Sequence, residues 1–229
     1  MKSGRILFIL AILAIVGCFV QPVLADTDNA TQYYNKGSQM ASSGEYQRAI
    51  AFFDMALASN TTMISKSDTL MYVYKDKSAA LTDLGYYDDA VKTADQGLAL
   101  YKKEPGLWNN KGYALFKQGK YTEAIAAYDA AIDLDSSYLK GYINKGLALN
   151  KAGKYYEAIT AFNKALQLDP GNTDAQTGLA EAQNETMKTN IALAVIVIVA
   201  LCLVIWYVKR KPADGKDASG KKDKKSKKE

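Results

Sequence analysis

The sequence contains no histidine, and its two cysteines, Cys18 and Cys202, each lie inside a strongly apolar run. Without histidine there is no Ser-His-Asp or Cys-His nucleophile, and the usual zinc sites made from His and Cys are excluded with it. Cysteines confined to two apolar runs provide no disulfide framework for the segment between them. Neither a Gly-rich phosphate loop nor a metal-ligand spacing is present, and the acidic pairs Asp88-Asp89 and Asp133/Asp135 read as solvated residues at helix ends. The chain is therefore expected to be no enzyme and to need no cofactor and no metal.

A basic surplus is also missing from the body of the chain. The net charge is +5 over 229 residues, but 209–229 contribute +6 and the first 25 residues +2, which leaves −3 over 26–208. Nucleic-acid binding by the central segment is disfavoured, because neutralising phosphates requires a clustered basic surface.

The two ends carry what the middle lacks. Residues 1–25 begin with Lys2 and Arg5, continue through the apolar run Ile6–Val20, break at Gln21-Pro22 and end on Val23-Leu24-Ala25. That order of parts is expected of a secretory signal peptide cleaved after Ala25. An uncleaved anchor and lipoprotein processing at Cys18 are the alternatives. Residues 191–208 form an uninterrupted apolar run of 18, bounded by Asn190 and by Lys209-Arg210-Lys211. At 1.5 Å per residue such a run covers roughly 27 Å, so 190–208 is expected to be one transmembrane helix. Trp206 and Tyr207 stand where an aromatic belt belongs, and the following lysines place that end in the cytoplasm. Residues 209–229 have no apolar periodicity and are expected to form a disordered basic tail. The resulting expectation is a single-pass cell-membrane protein with 26–188 outside the cytoplasm.

Between the two apolar runs the sequence repeats with a period of 34. Tyr74, Trp108 and Tyr142 share one column, Gly85, Gly119 and Gly153 a second, and Ala90, Ala124 and Ala158 a third. An earlier copy places Tyr33, Gly44 and Ala49 in the same columns, 41 residues upstream of the next. Small residues such as Gly112 and Ala124 belong where two antiparallel helices cross closely, Trp108, Leu115, Tyr128 and Ile132 form an apolar seam, and Gly119 sits at the turn. No single copy can bury its apolar face, so the copies must stack.

This period and residue set resemble the tetratricopeptide repeat (TPR), of a membrane-anchored prokaryotic (archaeal or bacterial) type. The two best copies supply Trp108, Gly112, Leu115, Gly119, Tyr121, Ala124, Tyr128 and Ala131, then Tyr142, Gly146, Leu149, Gly153, Tyr155, Ala158, Phe162, Ala165 and Pro170. Two departures stand out. Lysine replaces the expected leucine in every copy (Lys36, Lys77, Lys111, Lys145). The second copy has Ser78, Ala94 and Gly97 where glycine, an aromatic and alanine belong, and is expected to be the loosest. The resemblance implies an all-α, right-handed superhelical solenoid of four helix-turn-helix units at about 30–63, 71–104, 105–138 and 139–172, followed by a cap at 173–188.

The function it implies is a protein-protein interaction module, a scaffold or adaptor that holds a peptide or protein partner in a concave groove. The alternative is a structural subunit of an envelope or secretion assembly, acting through its convex face or its membrane helix. Carried onto this sequence, the groove comprises Lys75, Asn109, Asn110, Tyr113, Phe116, Lys140, Ile143, Asn144 and Leu147. A five-residue carboxylate clamp is matched at Lys75, Asn110 and Lys140 but broken by Ala79 and Asn144. Asn109 is expected to be exposed there, so that its replacement by alanine changes stability little. Three sequons, at Asn29, Asn60 and Asn184, are expected glycan acceptors in a host that modifies exported proteins.

Overall fold

The computed structural model describes residues 29–59 and 68–210. The expected signal peptide, the sequon at Asn60 and nearly all of the basic tail lie outside the described residues. What is described is all helical: α1 (29–42), α2 (Tyr46–Ala58), α3 (Asp68–Asp83), α4 (Tyr87–Leu100), α5 (Pro105–Lys117), α6 (Tyr121–Leu134), α7 (Leu139–Lys151), α8 (Tyr155–Leu168) and α9 (Thr173–Arg210). The chain divides into two compact units, one up to Gln183 and one from Asn184.

The first unit is a stack of four hairpins, α1–α2, α3–α4, α5–α6 and α7–α8, closed by the start of α9. Each hairpin turns on a glycine with a left-handed backbone. At Gly119 and Gly153 φ is +77° and +74°, a conformation that costs a side-chain-bearing residue energy and glycine almost none. There the Gly119 N–H donates to Phe116 and the Lys120 N–H to Leu115, which closes the otherwise unsatisfied carbonyls of the preceding helix. Gly44 and Gly85 repeat the arrangement.

Within a hairpin the two helices meet at a glycine lying under a ring. A Cβ at Gly37 would come within 2.7 Å of Phe53, one at Gly112 within 2.7 Å of Tyr128, and one at Gly146 within 2.7 Å of Phe162. Phe53, Tyr128 and Phe162 are almost wholly buried, so these contacts are the centre of each hairpin. In the second hairpin the roles are exchanged. Ala94 replaces the ring, Ser78 the glycine, and Gly97 of α4 takes in Tyr74 of α3 and Leu107 of α5. The freed space holds hydroxyls: Ser78 Oγ donates to the Lys75 carbonyl and Thr82 Oγ1 to the Ser78 carbonyl. The second hairpin therefore departs from the repeat pattern through an alternative packing whose polar groups are satisfied.

Between hairpins, the lysine that replaces leucine finds a fixed partner. Lys77 pairs with Asp54, Lys111 with Asp95 and Lys145 with Asp129, each reaching from the first helix of one hairpin to the second helix of the one before. The aspartates are roughly half exposed, so each pair contributes only about 0.2–1 kcal/mol and serves mainly as a register mark. The marks stop where the stack stops. In the fourth hairpin the aspartate position is Asn163, and α9 offers Leu179 in the lysine position. At the opposite end, Gln32 and Gln39 are exposed where later hairpins bury Val73 and Leu107, and Ala80 and Ala114, and Lys36 between them is exposed as well. Both ends of the array are thus closed by composition.

The start of α9 covers the last hairpin with Ala175 and Ala182, and Gly178 lets the Phe162 ring approach its backbone. In the second unit, the apolar residues from Ile191 to Val208 are all exposed, in a helix long and apolar enough to cross a membrane.

Gly146→Ala should destabilise the stack by about 1–3 kcal/mol, because the added methyl meets a ring that has no room to move. A denaturant titration of Gly146→Ala, Phe162→Leu and the double variant should give less than the sum of the single losses, since the smaller side chain vacates the space.

Candidate functional site

A groove follows from which helices approach one another. The first helices of successive hairpins form a continuous row, α3 against α5 and α5 against α7, whereas the backbones of α4 and α6, or of α6 and α8, do not approach one another as closely. Helices closer together on one side than the other make a curved stack, with the first helices on its inner face. The hydrogen bond from the Tyr34 hydroxyl of α1 to Asp76 of α3, at 2.9 Å, extends this inner row to the first hairpin.

Polar side chains tie the inner row together. Asn110 Nδ2 of α5 donates to the Lys75 carbonyl of α3 at 2.8 Å and to Ser78 Oγ at 3.2 Å. Asn144 Nδ2 of α7 donates to Asn109 Oδ1 of α5 at 2.8 Å. Asn150 Nδ2 of α7 donates to the Gly178 carbonyl of α9 at 3.2 Å. Every neighbouring pair in the row is therefore joined by a side-chain hydrogen bond. At the first of these joints, burial and then the Asp76 charge push the Tyr34 hydroxyl up to about 12, while burial raises the Asp76 carboxyl against the opposing effects of Tyr34 and Lys75. Tyr34 also stacks on Tyr72 with ring centroids 6.1 Å apart.

Lys75 lies in a slot of its own. Its stem runs past Gly106, where a Cβ would come within 2.8 Å of it. Its Nζ stands 4.5 Å from the centre of the Tyr72 ring and 4.0 Å from Glu104 Oε1. The ammonium thus already has an aromatic face and a counter-charge.

The remaining groove candidates fall into two groups. Tyr113, Phe116, Asn144 and Leu147 are partly exposed and Lys140 is exposed, with Lys117 Nζ lying 5.1 Å from the Tyr113 ring centre. Asn109 and Ile143, by contrast, are buried, at 7% and 8% exposure. Asn109 is not the exposed contact residue expected of it: its carbonyl oxygen faces the next inner helix and accepts from Asn144, which makes it a strut. Ile143 packs into the core around Phe162. The inter-hairpin lysine–aspartate pairs were not anticipated, although lysine and aspartate recur in fixed columns. Of the sequons, Asn29 and Asn184 are exposed.

Asn109→Ala should cost about 1–3 kcal/mol, since it leaves the Asn144 amide without its acceptor in a half-buried site. Urea unfolding should show Asn109→Ala losing more stability than Leu147→Ala, the reverse of their burial-free ranking by size.

A tetratricopeptide repeat model matches residues 105–138 and 139–172. No match is found among curated proteins. Among solved structures, the second TPR domain of human RPAP3, in complex with HSP70 peptide SGPTIEEVD, is 34% identical over 48% of this chain and 92% of its own, with a TM-score of 0.47. The first TPR of Spaghetti (RPAP3), bound to HSP90 peptide SRMEEVD, is 27% identical over 51% of this chain and 95% of its own, with a TM-score of 0.50. The MamA protein is 21% identical over 81% of this chain and 97% of its own, with a TM-score of 0.59, which reflects a shared fold. The chain therefore carries tetratricopeptide repeats, matched directly at 105–138 and 139–172, in an all-helical solenoid of that fold.

Proposed function

We propose that this protein is a membrane-anchored adaptor whose TPR array, held outside the cytoplasm, recruits a peptide or protein partner into the groove of its inner helices. The observation that carries the reading is the character of that inner face in the third and fourth hairpins. Tyr113, Phe116 and Leu147 leave ring and aliphatic surface open beside Lys117 and Lys140, and neither lysine has an ion pair among the described residues. By contrast, the lysines that mark hairpin register are all paired. Aromatic surface beside cations that lack an ion pair favours a partner with apolar and acidic side chains. The HSP90 peptide SRMEEVD held by the RPAP3 repeat belongs to the same chemical class.

The membrane assignment rests on two features of the sequence read together: the signal-like start and the lysines that follow the apolar run. In this reading α9 crosses the membrane through 190–208, residues 209–229 face the cytoplasm, and Asn29, Asn60 and Asn184 are open to glycosylation. The groove is a binding surface and performs no chemistry, and neither nucleic acid nor metal is part of the account.

Protease added to spheroplasts should degrade the repeats and leave a tag after Glu229 intact. Protection of the repeats with loss of the tag would reverse the topology. In pull-downs from solubilised membranes, Tyr113→Ala combined with Lys140→Glu should lower partner recovery at least tenfold while membrane fractionation stays unchanged. Full recovery by that variant would remove the groove from the account.

A further inference from the structure

We infer that the groove takes an extended, chain-interior segment of its partner bearing two acidic side chains on one face, four or six residues apart, and not a C-terminal carboxylate; this rests on the groove reading above. A terminal carboxylate carries its charge on one point and needs several donors converging there. On this inner face, of the three matched clamp positions only Lys140 is uncommitted, and a single ammonium does not make a converging set. The Asn110 amide nitrogen is directed at α3, donating toward the Lys75 carbonyl and Ser78 Oγ. The Asn144 amide donates to Asn109. Lys75 has Glu104 and the Tyr72 face around its ammonium, and Ala79 has no polar side-chain atom to offer.

The uncommitted cations are arranged in a line. Lys140 and Lys151 are eleven residues apart on α7, which brings them back to one face after about three turns, separated by about 16 Å along the axis. Both are exposed, and neither has an ion pair among the described residues. Leu147 lies on the same stripe between them, seven residues after Lys140, and on α5 the corresponding stripe holds Tyr113 and Lys117. An extended chain advances about 3.3 Å per residue and returns a side chain to the same face at every second residue, so separations of four and six residues, about 13 and 20 Å, bracket the 16 Å within the reach of flexible lysine and glutamate side chains. Acidic side chains at either separation reach both lysines, while the residues between them lie over Leu147 and Tyr113.

The position of Lys140 supports a role in binding. Lys151 and Lys117 occupy the last turns of their helices, where a positive charge favours the helix dipole. Lys140 is the second residue of α7, where the same dipole opposes it. Its charge therefore does not serve the helix that carries it.

The test is an array of fluorescent peptides in which two glutamates stand three to nine positions apart around a central Leu-Phe pair. Each is made with both ends blocked and again with a free C-terminal carboxylate, and binding to the full chain in detergent micelles is read by anisotropy. The expected result is an optimum at a spacing of four or six, blocked and free-acid forms agreeing within threefold, and at least a tenfold loss with Lys140→Glu/Lys151→Glu. Tenfold tighter binding of the free-acid forms, or an optimum at a spacing of three or above seven, overturns the inference while leaving the groove as the binding surface. No binding by any peptide in either form overturns the groove reading itself.

Discussion

The distance between the two helices of each hairpin is the constraint from which the rest of the molecule follows. A ring from the second helix rests on a glycine of the first with no room for a methyl group, at Gly37, Gly112 and Gly146. That contact brings the first helix close enough for its neighbours to form a continuous row, and the row is the inner face. Enlarging the glycine would push the hairpin open, move Tyr113 or Leu147 relative to the adjacent helix and break the asparagine bonds that join the row. Packing at the core thus sets the geometry of the surface several ångströms away.

Stacking supplies the second level. Each hairpin leaves an apolar face that only the next can cover, and the lysine–aspartate pairs fix which residues of one meet which residues of the next. Exposed ion pairs of this kind add little stability, but a pairing that fits only one register selects among alternatives that hydrophobic burial alone would leave close in energy. The array ends where the pairing ends, at Asn163 and Leu179 on one side and at the polar stripe Gln32, Lys36 and Gln39 on the other.

Much of this was legible in the sequence because repetition prints it several times. The 34-residue columns located the turn glycines, and their positive φ angles follow from the left-handed conformation that a helix-ending turn requires. Gly112 and Ala124 were likewise recognisable as close-crossing positions from their size alone. The second hairpin was harder to read, because Ser78, Ala94 and Gly97 look like three independent losses and are a single exchange of partners across the helix pair. Asn109 was misassigned for a related reason. Helical spacing puts it on the inner face beside Asn110, but only the three-dimensional arrangement shows that the next helix covers it. The lysine–aspartate columns carried a signal in plain view, since both members repeat with the hairpins, the aspartate giving way to Asn163 in the last hairpin and the lysine to Leu179 in α9.

The central claim, that partners enter by the inner face, is tested most directly by photo-crosslinking in the native membrane. A benzophenone amino acid replaces Tyr113 on the inner face in one strain and the exposed Asn163 on the outer helix α8 in another. The account predicts a discrete partner adduct from position 113 and none from position 163 after irradiation. Adducts from 163 with none from 113 would contradict it and assign recognition to the outer face.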